Sequence, residues 1–316
     1  MTSQDVLGLK VVVIAGGWSD EREISLDSGR ACQKALTEAG FKGVDLLDVA
    51  SGDFVSQLTS GGYDVAFVAM HGHYGEDGCI QGLLEILHMP YTFSGVLGSA
   101  VSTEKEVAKT LYREAGIPTP RGTDVAPGTE LKAEDVDRIV DELGLPLFVK
   151  PAANGSSFGV TRVTSASQLA DAVRLATQGG DRALIEECVT GTEITVPVIG
   201  NDEPKALPIV EIVTGAEFYD LKVKYEPSSM HHVIPARLEA GVYAHAQELA
   251  VRAHRALHLL GASRSDFIVR EDGTPVILET NTIPGMTATS LLPDAARAAG
   301  MSFPELCAVL IEYALE

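Results

Sequence analysis

Three oxygen-bearing side chains near the end of the chain, Asp266, Glu279 and Asn281, lie on or just beyond two apolar runs, 266–269 and 275–279, that meet at Asp272-Gly273. That dipeptide favours a tight hairpin, with Asp266 beginning one strand and Glu279 and Asn281 ending the other, so the turn would bring the three oxygens together. Glu279 and Asn281 are two positions apart and share a face of a strand. A carboxylate and an amide with room for water and phosphate suit Mg²⁺. The same pattern would serve as polar caps on an exposed hairpin, because acidic residues are common on exposed strand ends. ETNTIPGMT, 279–287, then enters a helix expected from Thr287, with Gly285 beside its start. Backbone N–H groups there can face an oxyanion, although an ordinary loop also uses Pro and Gly.

Two other places could meet anions or ligand. KPAANGSSFG, 150–159, follows an apolar run, and its many small residues would let backbone N–H groups close over a polyphosphate. No Gly-Lys-Ser/Thr closes it, and small-residue loops also serve as plain turns. His71 directly follows the apolar run 65–70 and is flanked by Gly72, Gly75 and Gly78, at what should be the ligand-facing end of a parallel sheet. Glu21 holds the same kind of position after the first apolar run, where its charge would also favour a helix N-terminus.

These groups must be positioned by a chain of 316 residues, more than one hydrophobic core usually supports, so two or three modules are expected. The 24 basic and 44 acidic side chains leave a net charge of −20, which repels nucleic-acid phosphates and anionic membranes. Small molecules are therefore the expected partners, with no nucleic acid and no membrane. Cys32, Cys79, Cys188 and Cys307 lie far apart without a CxxC pair, which points away from a zinc site or a disulfide framework. The polar start passes at once into a short apolar run, no stretch of about 18 apolar residues occurs, and a cytoplasmic location is expected.

Residues 10–15, KVVVIA before Gly16-Gly17, read as a parallel strand buried on both faces. Helical spacing over 25–39 ends at Gly40, a left-handed stop. Strands at 44–49 and 64–70 and a short helix at 79–88 continue the alternation and imply a parallel α/β domain. A helix over 102–115 stopping at Gly116 marks a boundary. A helix at 133–143, a strand at 147–150, a helix at 165–176 and a strand at 183–187 form a small α+β module. Strands at 193–199 and 206–213, a polar stretch near 215–235, a helix at 242–260, the hairpin, and helices from Thr287 and Ser302 complete the chain. The expected domains are 1–101, 102–191 and 192–316.

Four segments in this order resemble the signatures of one family, the D-alanine–D-alanine ligases of the ATP-grasp superfamily. They are Glu21-Arg22-Glu23-Ile24-Ser25-Leu26 with Ser28-Gly29, His71-Gly72 with Gly75-Glu76-Asp77-Gly78, Pro90-Tyr91-Thr92 with Ser94-Gly95, and Asn281-Thr282 with Pro284-Gly285-Met286-Thr287. The resemblance, which runs from about Val11 to about Pro304, implies a mixed α/β and α+β chain in a three-domain ATP-grasp architecture. An N-terminal parallel α/β domain would bind substrate, and the central and C-terminal domains would hold ATP between two sheets. It also implies a homodimer, ATP, and two Mg²⁺ ions for which Mn²⁺ substitutes.

Residue by residue, Lys105 and Lys150 match the family's phosphate-contacting lysines, Ser156 and Ser157 the loop over the phosphates, and Glu186, Val189 and Glu193 the segment meeting adenine and ribose. Asp266, Glu279 and Asn281 match the magnesium ligands, and Arg264 with the Gly285 N–H matches the group facing the oxyanion. Glu21 and His71 resemble the residues holding the first D-alanine, Ser290 and Leu291 those receiving the second carboxylate. Lys224 and Tyr225, within 218–235, resemble a closing loop, and Tyr225 with Ser156 and Glu21 a hydrogen-bonded clasp across domains. The implied reaction phosphorylates the first D-alanine to an acyl phosphate, which the second amine attacks to give D-alanyl-D-alanine, ADP and phosphate for peptidoglycan precursors.

Phe93 stands where a glycine is common in the family, Thr103-Glu104 where Met-Asp is common, and Ser265 is a variable position; none removes a proposed ligand. His231-His232 has no place in the pattern. A sister ligase joining D-alanine to D-lactate or D-serine would share the activation step; Tyr225 argues for D-alanine, because such ligases tend to depart there. A nucleotide-binding regulator without turnover should have lost a ligand, and none is missing. No G-x-G-x-x-G follows the first strand, so a dehydrogenase reading fails.

Overall fold

The computed structural model describes residues 3–153, 159–214 and 230–316. A short helix α1 (Ser3–Leu7) leads into β1 (Lys10–Ala15), the centre of a parallel sheet ordered β2-β1-β3, with β2 at Gly43–Asp48 and β3 at Val65–Val68. β3 is buried along its whole length and β1 in all but its first residue, as the continuous apolar runs require of a sheet covered on both faces. Helix α2 (Arg22–Ala39) starts three residues before its apolar spacing does, and Gly40 stops it at φ 103 while its N–H returns to the carbonyls of Leu36 and Thr37. Helices α3 (Phe54–Ser60) and α4 (Cys79–Ile86) complete this part.

The single helix expected over 102–115 is two helices. α5 (Val96–Thr103) and α6 (Lys105–Glu114) are separated by Glu104, whose extended backbone (ψ 92) turns the chain. Helical periodicity carries no trace of one extended residue.

The second sheet is antiparallel, ordered β4-β7-β5-β6, with β4 at Gly122–Val125, β5 at Leu147–Pro151, β6 at Thr161–Val163 and β7 at Ala183–Glu187. Helices α7 (Ala133–Leu143) and α8 (Leu169–Ala176) cover it and bury Ile139, Leu143, Leu169 and Val173 against Val149 and Ile185.

The third sheet runs β11-β10-β8-β12-β13, with β8 at Thr192–Ile199, β10 at Val210–Thr214, β11 at Met230–Val233, β12 at Ala262–Val269 and β13 at Pro275–Asn281; β9 (Lys205–Ala206) pairs with β8. The one strand expected at 206–213 is thus broken at 207–209, where Pro208 has no N–H for a ladder. Asp266 does not begin a strand but lies in the middle of β12, because the buried polar run Ser263, Arg264 and Ser265 is also strand. Helix α9 (Ala240–Ala256) packs on this sheet; the closing helices are α10 (Leu291–Ala298), four residues later than expected, and α11 (Phe303–Ala314), initiated by Ser302 in a capping box with Glu305.

Side chains cross the expected domain boundaries. α6 buries Ala108 and Tyr112 with Ile194, Phe267 and Ile277 of the third sheet. From the other end, Leu292, Leu306 and Leu310 join the core of β1 and α2. These packings seat α6 on the third sheet and the closing helices on the first.

Candidate active site

On the first sheet, α2 is fixed to the strand ends through its hydroxyls. Ser25 Oγ accepts from the Gly16 N–H at 2.8 Å and donates to the Ala69 carbonyl at 2.7 Å. Ser28 Oγ lies 3.0 Å from Nε2 of the buried His71, whose carbonyl accepts from Ser19 Oγ at 2.8 Å. Glu21 caps the same helix end, and its Oε2 faces Gly72 so closely that a Cβ there would come within 2.8 Å. The loop after His71 is braced from within: Glu76 Oε2 accepts from the Gly72 N–H at 2.7 Å, Asp77 accepts from the Tyr74 N–H at 2.8 Å, and Gln81 donates to the Gly75 carbonyl at 2.7 Å. Gly72 (φ 70) and Gly78 (φ 95) supply left-handed turns, and Tyr74 is held at φ 67.

Opposite lies a cluster of ion pairs carried on regular elements. Lys105 and Lys109 stand one turn apart on α6, and both are buried. Lys105 Nζ is 3.6 Å from Glu279 Oε2, and its N–H donates to the Ala152 carbonyl at 3.0 Å. Glu186 on β7 is buried between two ammonium groups, Lys109 at 2.5 Å from Oε1 and Lys150 at 2.8 Å from Oε2. Burial alone would raise the Glu186 carboxyl, but Lys150 and Lys109 hold it below the ordinary glutamate range. Burial lowers Lys109 to about 8 against the pull of Glu186, whereas in Lys150 the attraction of Glu186 and Glu279 exceeds the cost of burial and raises it.

The hairpin of β12 and β13 turns at Gly273 (φ 84), and its register sets Asp266 opposite Glu279 and Arg264 opposite Asn281, with a bulge between Asp266 and Phe267. Arg264 grips Asp266 through both oxygens, Nε at 2.9 Å and a terminal nitrogen at 2.7 Å, and Thr195 Oγ1 donates to the same carboxylate at 2.5 Å. A buried hydroxyl chain, Tyr112 to Thr280 at 2.7 Å and Thr280 to Ser265 at 2.8 Å, ties α6 to both strands. Beyond β13, Gly285 is not next to a helix start, since α10 begins six residues on. Thr287 and Ser290 instead form a turn (hydroxyls 2.7 Å apart), and a Cβ at Gly285 would meet Ser290 Oγ at 3.0 Å.

Between the two sides is a cleft of about 530 Å³. Of the expected site residues it gathers Glu21, Lys105, Glu279 and Asn281, together with Gly72, Glu76 and Thr282. His71 adjoins it through Gly72, while Lys150, Glu186, Arg264 and Asp266 do not line it and are held in ion pairs on the neighbouring strands. Val189 and Glu193 lie beside the turn between β7 and β8, and Leu291 opens α10; none lines the cleft. Ser156, Ser157, Lys224 and Tyr225 lie outside the described residues.

The chain matches the D-ala D-ala ligase C-terminus family over residues 111–312 and the D-ala D-ala ligase N-terminus family over 50–94. The D-alanine–D-alanine ligase of Desulforamulus reducens is 45% identical across 98% of this chain and 100% of its own length. That of Syntrophobacter fumaroxidans is 47% identical over 98% of each. Among solved structures, the Bacillus anthracis D-alanine–D-alanine ligase complexed with ATP superposes with a TM-score of 0.84 at 30% identity, covering 98% of both chains. The chain belongs to the D-alanine–D-alanine ligase family.

Within a ligase of this family two residues gain roles that their sequence context hid. Lys109 looks like an ordinary exposed helix lysine, yet its spacing from Lys105 puts both on one face of α6. Glu76 was legible as part of a glycine-rich stretch, not as the acceptor that folds it. His232, without a place in the sequence pattern, sits on β11 with Nδ1 3.2 Å from Asp294 of α10 and so ties that strand to the helix following Ser290. Among the described residues no three His, Cys, Asp or Glu side chains gather as a metal site, and no helix is long and apolar enough to cross a membrane.

Proposed function

We propose that this chain is an ATP-dependent D-alanine–D-alanine ligase acting in the cytoplasm on small molecules. The observation that supports the reading is a cleft lined by Lys105, Glu279 and Asn281 on one side and by Glu21 and the glycine loop after β3 on the other, with Lys150, Arg264 and Asp266 held in ion pairs on the neighbouring strands. We assign the modules 1–101, 102–191 and 192–316, with α6 seated on the third sheet, and a homodimer.

A carboxylate accepts an amine only after its oxygen becomes a leaving group, and the γ-phosphoryl of ATP supplies one. Glu21 and His71 orient the first D-alanine so that its carboxylate faces the phosphate, with Ser156 and Ser157 over the triphosphate and Glu186, Val189 and Glu193 toward adenine and ribose. Lys105 and Lys150 meet the charge spread over the transferring oxygens. Asp266, Glu279 and Asn281 offer oxygen donors only, aligned across one hairpin, a set that fits Mg²⁺ rather than a softer metal. Bound there, two such ions would neutralise phosphate charge. Ser290 and Leu291 receive the carboxylate of the second D-alanine, whose amine attacks the acyl phosphate. Arg264 and the Gly285 N–H face the tetrahedral oxyanion, where one donor is worth ~3 kcal/mol, about a hundredfold in rate. The segment with Lys224 and Tyr225 closes over the site, since an acyl phosphate exposed to water hydrolyses.

Competition between D-alanine and D-lactate as second substrate, with ATP and Mg²⁺ near neutral pH, tests the substrate assignment. Dipeptide dominates if the reading holds; depsipeptide as the main product overturns it.

A further inference from the structure

We propose that Lys109 is a positioning residue for nucleotide binding, a fixed counter-ion that keeps Glu186 neutralised so that Lys150 can leave that carboxylate for the triphosphate. The inference rests on the reading of Lys150 as a phosphate contact and deepens it.

Glu186 presents its two oxygens to different lysines, Oε1 to Lys109 at 2.5 Å and Oε2 to Lys150 at 2.8 Å. The two cations are not equivalent. Lys109 is on a helix held from several sides: its Nζ also donates to the Leu278 carbonyl at 3.1 Å, Tyr112 one turn on donates to Thr280, and the Lys105 N–H is bonded to Ala152. Its side chain is 2% exposed and has no room to follow a ligand. Lys150 sits near the end of β5, one residue before Pro151, is 14% exposed, and heads the small-residue segment expected over the phosphates.

Two ammonium groups share the one Glu186 carboxylate, and a triphosphate can draw Lys150 away from it. Lys109 then remains on Glu186, so no buried carboxylate is stranded. Without the Lys109 charge, Lys150 becomes the sole partner of a buried anion, and nucleotide has to break that pair before gaining its own. Lys109 also links Glu186 on the second sheet to Leu278, the residue before Glu279 on the third, so one side chain sets the adenine-side carboxylate and the metal-side strand in register.

The test compares steady-state KM for ATP, KM for D-alanine and kcat in Lys109→Met, Glu186→Gln, the Lys109→Met/Glu186→Gln double variant and Lys150→Met. Lys109→Met should raise the KM for ATP about tenfold, with kcat changed less than about threefold and the KM for D-alanine unmoved. The double variant should return to within about threefold of Glu186→Gln, because an uncharged glutamine needs no counter-ion. A fall in active fraction with an unchanged KM for ATP would mean a merely structural lysine and overturn the proposal. Should Lys109→Met fail to fold, the Glu186→Gln pair decides: a further tenfold loss on removing Lys109 in that background contradicts it. Lys150→Met separates the two ideas, since an unchanged KM for ATP there refutes the phosphate reading itself.

Discussion

The two walls of the cleft are organised by opposite means. The wall bearing Glu21, His71 and Glu76 is made of loops at the carboxyl ends of β1 and β3, shaped by hydrogen bonds that serine and glutamine donate to backbone carbonyls and that glutamate accepts from a backbone N–H. The wall presenting Lys105 and Glu279 is carried on strands and one helix, and these charges, like those of Lys109, Lys150, Glu186, Arg264 and Asp266 on the same elements, already pair with one another. An amino acid is a zwitterion and needs a pre-shaped pocket in which a few charges, such as Glu21, stand at fixed places. A triphosphate brings several negative charges, and a wall prepared for it must balance its own cations until that ligand arrives. On the proposed assignment, ion pairs on the nucleotide side are provisional partners, whereas hydrogen bonds on the amino-acid side are permanent scaffolding.

The strongest way to break this contrast is at Glu279. Glu279→Gln should lower kcat by about a thousandfold or more by removing both the proposed metal oxygen and the partner of Lys105, while the protein stays folded; phosphate release read against circular dichroism checks it. Next in size is acid stability, which should fail first on the strand-held side. His254 on α9 is buried, bonded through Nδ1 to Ser263 at 2.8 Å on β12, and lowered by burial from 6.5 to about 4. A depressed histidine contributes stability that is full above 6.5 and is lost as pH falls toward 4, because the unfolded chain takes the proton first; the loss is about 3 kcal/mol. Urea midpoints between pH 7 and pH 4 should fall accordingly, and His254→Gln should flatten that slope.

On the loop wall, Glu21→Gln should raise the KM for the first D-alanine about tenfold and leave the KM for ATP unchanged, since one charge-assisted contact is lost from a pocket that otherwise keeps its shape. Equal effects on both substrates would dissolve the distinction between the walls. The smallest effect is expected from Tyr112→Phe, which cuts the hydroxyl chain to Thr280 and Ser265 and should cost about 1 kcal/mol in thermal unfolding.

The amino-acid wall was the more legible in the sequence, because glycines, a histidine and a glutamate cluster within short stretches directly after continuous apolar runs. The continuous core of β1 and β3 was legible for the same reason. Pairings between distant residues were not: nothing local links Lys109 to Glu186, and nothing local sets Asp266 in the middle rather than at the start of a strand, since buried polar residues in β12 erase the apolar signal. The break at Glu104 and the interruption at Pro208 escaped as well, the first because one extended residue leaves helical spacing intact on either side. The late start of α10 follows from the Thr287–Ser290 turn, whose hydroxyl contacts are tertiary facts rather than local preferences.

The most direct measurement supplies the purified protein with ATP, Mg²⁺ and D-alanine and quantifies D-alanyl-D-alanine against phosphate. The account predicts one dipeptide for each phosphate and negligible phosphate when D-alanine is withheld. Phosphate released without dipeptide, or neither product, would contradict it.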